Sequence, residues 1–336
     1  MEGKEYRWVA GILFIGLSIY IFYSTLSQAF AFSSYRTGIT KNWANAFEWI
    51  KNNTPKCSLI ATYWDPGFWI QDLAERPVVF DGGSQNSLKR TKLENLHGLD
   101  CIRDRKGLVD EERGLCITAR IRDISTCLYT ENETLCAKIL LSYLPEKDNS
   151  LYRRYYGNCT PKIYFLASSD LLGKSHWWSM FATWDVEKKG GNPSDYYIVG
   201  LQKREKLILE KGYALYYHPF VFYPTQKIYI PVLKIVEKGN NSQEITPYLY
   251  DGGNFYKIKK LAFYSDNSPI IYEYEDAEME GMLYLGNNLQ FVIFIPKELE
   301  NSLFTRMFLF NGYGLKYFKL VYSNPEVKLF ELRYED

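Results

Sequence analysis

The segment Ala61-Thr62-Tyr63-Trp64-Asp65-Pro66-Gly67-Phe68-Trp69-Ile70 sets one carboxylate among four aromatic rings. The Pro66-Gly67 pair predicts a bend of the backbone directly after the acid. A carboxylate in such apolar surroundings is costly unless a donor hydrogen-bonds to it. Two interpretations are open: Asp65 is a turn residue that binds its own backbone, or it is held ready for a donor group of a ligand.

The neighbouring segments place Asp65 at the end of a strand. Ser58–Trp64 is rich in β-branched and aromatic residues and is predicted to be that strand. Fixed scaffolds commonly hold functional groups at strand ends. Thr40–Asn52 carries its apolar side chains on one face and is predicted to be a helix. Pro77–Phe80 is predicted to be a second short strand, and Asp81-Gly82-Gly83 a plain turn.

The same residues resemble a family motif. Tyr63-Trp64-Asp65-Pro66-Gly67 is similar to the Trp-Trp-Asp-Tyr-Gly signature of the catalytic subunits of oligosaccharyltransferases, the enzymes of protein N-glycosylation. Further segments similar to that family follow in the same order, at Asp81–Asn86, Ser168–Trp178 and Ser302–Tyr322. The resemblance implies that the signature forms the pocket for the Ser or Thr of an Asn-X-Ser/Thr acceptor.

Two positions depart from that signature. Tyr63 replaces the first Trp, which keeps a ring and adds a hydroxyl. Pro66 replaces the family's Tyr, which removes a backbone donor and stiffens the turn. The resemblance implies that Tyr63 and Trp64 wall the pocket, while Asp65 accepts a hydrogen bond from the acceptor hydroxyl.

A second group of candidate residues follows Ser169, which is a good N-cap for a helix that begins at Asp170. On that helix Asp170, Lys174 and Trp178 are spaced four residues apart, so the spacing places them on one face. By itself the spacing predicts an ordinary ion pair that stabilises the helix only slightly. The resemblance implies that Asp170 and Lys174 belong to a family motif beside the acceptor pocket. It leaves open whether Trp178 or Met180 touches the methyl group of an acceptor Thr.

Composition limits the classes of function. The chain has 336 residues, enough for two or three domains, and its formal net charge of +1 gives no reason to expect nucleic acid as a partner. The aromatic content of 17% fits β-rich structure and surfaces that contact carbohydrate or peptide about equally. The six cysteines form no Cys-X-X-Cys pair and the three histidines are scattered, so no metal site is predicted. The cysteines are interpreted either as disulfides or as buried free thiols, with the pairing open.

The N-terminal region has no charged residue between Arg7 and Arg36. This uncharged segment is longer than the roughly 20 residues that a helix needs to cross a bilayer. It predicts a retained membrane-anchor helix within residues 1–35. A cleaved signal peptide is the alternative, with Ala29-Phe30-Ala31 as a faint cleavage site. Because Lys4 and Arg7 precede the span, the positive-inside rule places the N-terminus in the cytoplasm and the bulk of the chain outside the cell.

The predicted fold class is α+β: the anchor helix at 1–35, a mixed helical and strand core domain at 36–190, and a β-rich region at 191–336. Residues 85–144 show helical periodicity, and their mixture of basic and acidic residues favours a solvated face over a binding patch. Further strands are predicted at Lys162–Ala167, Tyr196–Leu201, Tyr213–Tyr217, Lys227–Val236, Phe255–Phe263, Met282–Leu285, Leu289–Ile295 and Met307–Phe310.

The resemblance implies a part of an oligosaccharyltransferase that selects the acceptor and has no catalytic or metal-binding residue of its own. The family's catalytic carboxylates and a divalent cation, Mg²⁺ or Mn²⁺, are expected in a multi-span membrane half of the complete enzyme. The expected partners are an acceptor polypeptide with Asn-X-Ser/Thr, that membrane half and the lipid bilayer. The alternative is a non-catalytic, membrane-anchored module that binds a glycan or a protein.

Overall fold

The computed structural model describes most of the chain beyond the N-terminal segment. It covers residues 39–144, 153–154 and 156–334, except 186, 209, 224, 240, 241 and 266, together with residues 18, 20 and 23. Apart from those last three, the anchor helix predicted within residues 1–35 lies outside the described residues. Within the described part, no helix combines the length and the apolar character that a membrane span needs.

A four-stranded sheet carries the segments that lead to the candidate residues. Its strands are β1 (Leu59–Ala61), β5 (Ile163–Ser168), β16 (Val327–Leu332) and β15 (Phe318–Ser323), in that order. β1 and β5 are parallel, whereas β16 is antiparallel to both β5 and β15. Every residue of β5 is buried, which agrees with its position between two strands in a covered sheet. This sheet joins strands from both sides of the predicted boundary at residue 190.

The helices are α1 (Lys41–Asn53), α2 (Arg120–Tyr129), α3 (Glu133–Leu141), α4 (Asp170–Gly173) and α5 (Ser175–Ala182). The helix predicted over residues 40–52 is therefore confirmed as α1. Short 3-10 turns occur at Leu93–Asn95, Asn287–Leu289 and Lys297–Leu299, and π-helical turns at Ile70–Ala74 and Thr305–Leu309. The strand predicted at Met307–Phe310 is wrong, because a short run that is apolar on all sides does not distinguish a buried helix from a buried strand.

The region 85–144 is helical only from Arg120 onwards. Before it lies a three-stranded antiparallel sheet of β2 (Leu88–Lys92), β4 (Leu115–Ala119) and β3 (Leu108–Asp110). The prediction that the charged residues of this region form a solvated face is wrong for Arg105. Its side chain is buried in an ion pair with Asp123. Asp123 also accepts hydrogen bonds from Thr118 Oγ1 at 2.9 Å and from the Tyr143 hydroxyl at 2.7 Å. Arg105 thus belongs to a buried polar network, which the distribution of charge along the sequence does not reveal.

The β-rich region forms a sheet that closes on itself. Its strands are β6 (Tyr197–Lys206), β7 (Gly212–Tyr217), β8 (Phe220–Phe222), β9 (Lys227–Lys238), β10 (Ser242–Tyr250), β11 (Phe255–Ser265), β12 (Ser268–Glu273), β13 (Met279–Leu285) and β14 (Phe291–Ile295). Neighbours pair in the ring β6-β7-β9-β10-β11-β13-β14, while β8 and β12 attach outside it. Buried side chains such as Leu233, Leu261 and Leu283 fill the interior. The predicted strands in this region are confirmed apart from their ends, whereas β8, β10 and β12 were not predicted.

All six cysteines form disulfides, which settles the alternative of free thiols. The pairs are Cys57–Cys159, Cys101–Cys116 and Cys127–Cys136. The first joins the residues just before β1 to the residues just before β5, so it fixes the entry of both parallel strands. Residues Asn45–Asp336 form one compact unit, and the division at residue 190 stays a prediction.

The Cys57–Cys159 disulfide should stabilise the fold more than the Cys101–Cys116 disulfide, because it closes a loop of 102 rather than 15 residues. In the chain-entropy account, this difference in loop length is worth about 2 kcal/mol. We expect the double variant Cys57→Ser/Cys159→Ser to lose that much more unfolding free energy than Cys101→Ser/Cys116→Ser, measured by urea denaturation of the full chain. Equal losses in the two variants would contradict the loop-length argument.

Candidate functional site

The parallel pairing of β1 and β5 brings the two groups of candidate residues to one edge of the sheet. The register pairs Leu59 with Ile163 and Ala61 with Phe165. Because the strands run in the same direction, their carboxyl ends meet at the same edge. The strand predicted over Ser58–Trp64 is shorter than expected, because β1 ends at Ala61. Asp65 therefore follows β1 by four residues, and Asp170 follows β5 by two.

Lys174 lies between two carboxylates at this edge. Its Nζ is 2.9 Å from Asp65 Oδ1 and 2.7 Å from Asp170 Oδ2. The three side chains are partly exposed, at 31% for Lys174, 26% for Asp65 and 37% for Asp170. The structure therefore brings Asp65 together with Asp170 and Lys174, which lie more than a hundred residues further along the sequence.

Each carboxylate keeps one oxygen without a partner. Asp65 Oδ2 and Asp170 Oδ1 are both inaccessible to solvent and accept no hydrogen bond from any described residue. A buried carboxylate oxygen without a donor costs free energy, and native structures rarely retain one without a reason. A donor from outside the described chain would reach either oxygen only after a neighbouring side chain moves, because both oxygens are closed to solvent in this structure.

Lys174 is held in its charged form. Burial alone would lower the pKa of Lys174, but hydrogen bonds and attraction from Asp170 and Asp65 outweigh it and raise the pKa above its ordinary value. The ammonium balances one of two negative charges, so the cluster carries a formal net charge of −1. Such a site favours a neutral or cationic donor over an anion.

The aromatic rings beside Asp65 form one wall of the site. Tyr63 is 3% exposed and packs at 6.3 Å between ring centroids against Trp64 and at 6.4 Å against Phe80. Burial, together with the charge of Asp65, raises the pKa of Tyr63 to about 12. The neighbouring Phe68 is 50% exposed, and no sequence signal marks it as part of the wall.

Pro66 and Gly67 shape the backbone after Asp65. The Gly67 amide donates to Trp64 O at 3.1 Å, and the Ile70 amide donates to Pro66 O at 2.9 Å. A Cβ atom on Gly67 would lie 2.7 Å from Asp81 Cβ and 2.8 Å from Asp81 Cα. Only glycine permits this close approach between the turn and the residues that follow Val79-Phe80.

The carboxylate of Asp81 has hydrogen-bond donors for both of its oxygens. Its Oδ1 accepts from the Ser84 amide at 2.9 Å and from Ser84 Oγ at 2.8 Å, and its Oδ2 accepts from Gln71 Nε2 at 2.6 Å. The turn predicted at Asp81-Gly82-Gly83 is confirmed. Pro77–Phe80, predicted as a strand, forms only one isolated bridge, between Val78 and Ile60.

Trp178 does not share a face with Asp170 and Lys174. The predicted helix is interrupted at Lys174, whose φ of −106° and ψ of 6° separate α4 from α5. The helix begins at Asp170 as predicted, but Ser169 has helical φ and ψ and its side chain makes no capping bond. Trp178 is fully buried, and its Nε1 donates to Leu171 O at 2.9 Å. Met180, the other apolar candidate, keeps part of its surface exposed.

The described residues offer no metal centre. No three of their His, Cys, Asp or Glu side chains are grouped so that they could hold a metal ion. Asp65 and Asp170 have Lys174 between them, and an ammonium in that position competes with a cation for the same oxygens.

Gly67→Ala should destabilise the protein, because the new Cβ would push the turn away from the backbone of Asp81. Small-to-large changes in well-packed sites typically cost about 1–3 kcal/mol of unfolding free energy. Gly83→Ala is the matched control, since its Cβ would make only ordinary van der Waals contacts, with the Phe68 ring at 3.4 Å and with Asp81 Oδ1 at 3.5 Å. We expect the control to change the urea-unfolding free energy by less than about 0.5 kcal/mol. Similar effects of the two substitutions would contradict the close approach at Gly67.

Tyr63→Phe should alter how stability depends on pH. The unfolded chain releases the Tyr63 proton near pH 10, whereas the folded chain holds it to about pH 12. The native state therefore binds more protons in this range, and the unfolding free energy falls as pH rises from 10 to 12. The Phe variant lacks this contribution, so the stability of wild type relative to the variant should fall by about 1–3 kcal/mol over that window. Parallel pH profiles in urea unfolding would show that the hydroxyl is not held in its neutral form.

Comparison with known proteins relates the chain to one group of enzymes. No protein-family model matches it. The chain is 26% identical over 337 residues to the dolichyl-phosphooligosaccharide-protein glycotransferase of Methanocaldococcus jannaschii, a match that covers 88% of this chain and 34% of the relative. The protein of the same name from Methanococcus voltae is 34% identical over 76 residues, covering 23% of this chain and 8% of the relative. The chain thus spans about a third of the length of the first of these relatives.

Two solved structures are also similar. The C-terminal domain of PglB from C. jejuni aligns with a TM-score of 0.43 and 15% identity, over 87% of this chain and 99% of that domain. The C-terminal globular domain of an oligosaccharyltransferase from Archaeoglobus fulgidus aligns with a TM-score of 0.35 and 11% identity, over 88% of this chain and 99% of that domain. The relationship rests on the sequence match that covers most of this chain: the protein is homologous to the archaeal oligosaccharyltransferases.

Proposed function

We propose that this chain is the acceptor-recognition part of an oligosaccharyltransferase, which binds the Asn-X-Ser/Thr sequence of a polypeptide. The observation that carries the proposal is the unpartnered Oδ2 of Asp65, which is buried beside a ring wall and next to an ammonium group. In this proposal, Asp65 Oδ2 accepts a hydrogen bond from the hydroxyl of the acceptor Ser or Thr.

The charge of the cluster suits this ligand. A hydroxyl donates one hydrogen bond and brings no charge, so it satisfies a carboxylate oxygen without disturbing the Lys174 ion pairs. A hydrogen bond to a charged acceptor contributes roughly 1.5–3 kcal/mol. A site built around a hydroxyl discriminates strongly against a ligand that lacks it. When such a ligand binds, the buried carboxylate oxygen stays without a hydrogen bond, and this penalty adds to the loss of the bond itself.

The apolar side of the acceptor would contact the partly exposed Trp64 ring, and the buried Tyr63 ring packs behind Trp64. Trp178 has no exposed surface and its indole N–H is already bonded, so we assign the contact with the Thr methyl group to Met180. Trp178 is then a core residue of α5 that packs against Tyr196 and Phe304.

The chemistry of transfer is assigned to a separate part of the complete enzyme. We propose that a multi-span membrane half supplies the catalytic carboxylates, the divalent cation and the binding site for the lipid-linked oligosaccharide. The chain described here presents the acceptor to that half, and by itself it should transfer no saccharide. The three disulfides support a location of this part outside the cytoplasm.

Asp65→Asn should remove the preference for a hydroxyl. The wild-type chain should bind an Asn-X-Thr peptide about tenfold or more tightly than the same peptide with Val in place of Thr, because the two differ chiefly in the hydroxyl. In the variant the two peptides should bind with similar affinity. Fluorescence anisotropy of labelled peptides with the purified full chain measures both affinities.

Asp72→Asn is the matched control, since Asp72 is an exposed acid on the same turn that follows Gly67. It should keep the wild-type preference for Thr. If the wild-type chain binds both peptides equally, or if Asp65→Asn keeps the preference while its thermal unfolding midpoint is unchanged, Asp65 is not the hydroxyl acceptor. Peptide binding that ignores the Thr position would favour the alternative of a general protein-binding module.

A further inference from the structure

A second site lies at one end of the closed sheet, where β6 turns into β7. A cavity of about 560 Å³ opens there and is lined by Arg204, Lys206, Lys211, Gly212, Tyr213 and Glu237. This volume is within the range of pockets that hold small molecules, and the ends of closed sheets are common places for such pockets.

The strand register shows which of these side chains point into the closed sheet. Leu215 pairs with both Arg204 and Leu233, while Tyr213 pairs with both Lys206 and Ile235. Leu215, Leu233 and Ile235 belong to the buried interior of this sheet. Because residues directly opposite one another share a face, Arg204, Lys206 and Tyr213 lie on the same face as Leu215 and Ile235. Arg204 and Lys206 are exposed to solvent at the end of this face.

Arg204 and Lys206 lie on this face because the pairing register of β6 with β7 is irregular. The register between β6 and β7 shifts between Leu201 and Lys203. This shift reverses which residues of β6 face inward, as a β-bulge does. Without it, Lys203 and Glu205 would face the interior in place of Arg204 and Lys206.

The basic side chains of the cavity have no acidic partner. Among the residues that the structure describes, no carboxylate lies within ion-pair distance of Arg204, Lys206 or Lys211, although the neighbouring Lys203, Lys234 and Lys238 are paired with Glu205, Glu210 and Glu244. With three basic groups and one acid, Glu237, the lining carries a formal net charge of +2. Glu205, Glu210 and Glu244 are thus used by other lysines, and Glu237 is the one acid of the lining.

Arg204 is held in position by an aromatic ring. Its guanidinium carbon lies 3.4 Å from the centroid of the Tyr213 ring, a stacking geometry that fixes the plane of the guanidinium. A guanidinium in a fixed plane presents parallel N–H groups that suit two oxygens of one phosphate or carboxylate. The lining charge of +2 matches the −1.5 to −2 of a phosphate monoester, which is roughly twice the charge of a carboxylate.

We propose that this cavity, at the end of the closed sheet, binds a phosphate monoester carried by a molecule of about the size of a sugar phosphate. Arg204 contacts two phosphate oxygens, and Lys206 and Lys211 neutralise the remaining charge. The site is separate from the Asp65 cluster, and the proposal does not depend on the role assigned to that cluster.

Calorimetric titration of the purified full chain with glucose 6-phosphate tests the proposal, with glucose and glucuronate as the uncharged and carboxylate comparisons. Glucose 6-phosphate should bind, glucose should not, and glucuronate should bind more weakly. The double variant Arg204→Gln/Lys206→Gln should weaken glucose 6-phosphate binding by about tenfold or more. Lys211→Gln, in the exposed connection between β6 and β7, should weaken it less and leave the thermal unfolding midpoint unchanged.

Lys203→Gln is the matched control, because Lys203 lies on the same strand but faces the opposite side, over the Tyr216 ring. It should leave the affinity unchanged. The proposal is overturned if glucose 6-phosphate does not bind, if Lys203→Gln weakens binding as much as the double variant, or if glucuronate binds as tightly as the phosphate.

Vesicles distinguish a soluble source of the phosphate from a lipid source. If the monoester belongs to a lipid headgroup, vesicles with phosphatidic acid should retain more wild-type chain than phosphatidylcholine vesicles, and Arg204→Gln/Lys206→Gln should abolish the difference. If it belongs to a soluble ligand, the two kinds of vesicle should retain the chain equally while glucose 6-phosphate still binds. Retention by phosphatidic acid that is the same in wild type and in the double variant, without glucose 6-phosphate binding, would overturn the proposal.

Discussion

The ammonium of Lys174, held between the carboxylates of Asp65 and Asp170, is the interaction on which the candidate site depends. Its three members come from two segments that meet only because β1 and β5 pair in parallel with one register. A shift of that register by one residue would turn every side chain of β1 to the other face. The Cys57–Cys159 disulfide, which lies just before both strands, ties them together at the end opposite to the ion cluster.

Comparison of two aspartates explains why one is assigned to a ligand and the other to the fold. Both carboxylate oxygens of Asp81 accept hydrogen bonds from nearby residues, Ser84 and Gln71, so this carboxylate needs no further donor. Asp65 uses one oxygen for Lys174 and leaves the other buried without a donor. A fold selected only for stability would gain from supplying that donor or from replacing the acid by an apolar group. In the proposed function, the donor that this oxygen lacks arrives with the ligand.

Local patterns in the sequence predict the elements around the site better than they predict its geometry. Helix α1, the strand before Asp65 and most strands of the closed sheet follow from periodicity and composition, and the candidate acids and lysine follow from short motifs. The break at Lys174, which turns Trp178 into the core, depends on packing against Tyr196 and Phe304. Those residues are distant in sequence, so helical spacing alone assigns Trp178 to the wrong face. The disulfide pairing and the closure of the sheet through the pairing of β14 with β6 are also long-range properties that no local pattern encodes.

The ion pairs of the chain bear on where ligands bind. The chain is nearly neutral, with 40 basic and 39 acidic residues, and many lysines pair with a nearby acid, as Lys257 does with Asp276 and Lys260 with Glu300. Against that background, a partly buried group without a partner is informative, because the sequence supplies enough opposite charges to satisfy it. The Asp65 cluster has a buried acceptor without a donor and excess negative charge, whereas the cavity at Arg204 has excess positive charge from side chains that are exposed to solvent. The two sites therefore differ in the chemistry they can accept: hydroxyl or amine donors at the first, and oxyanions at the second.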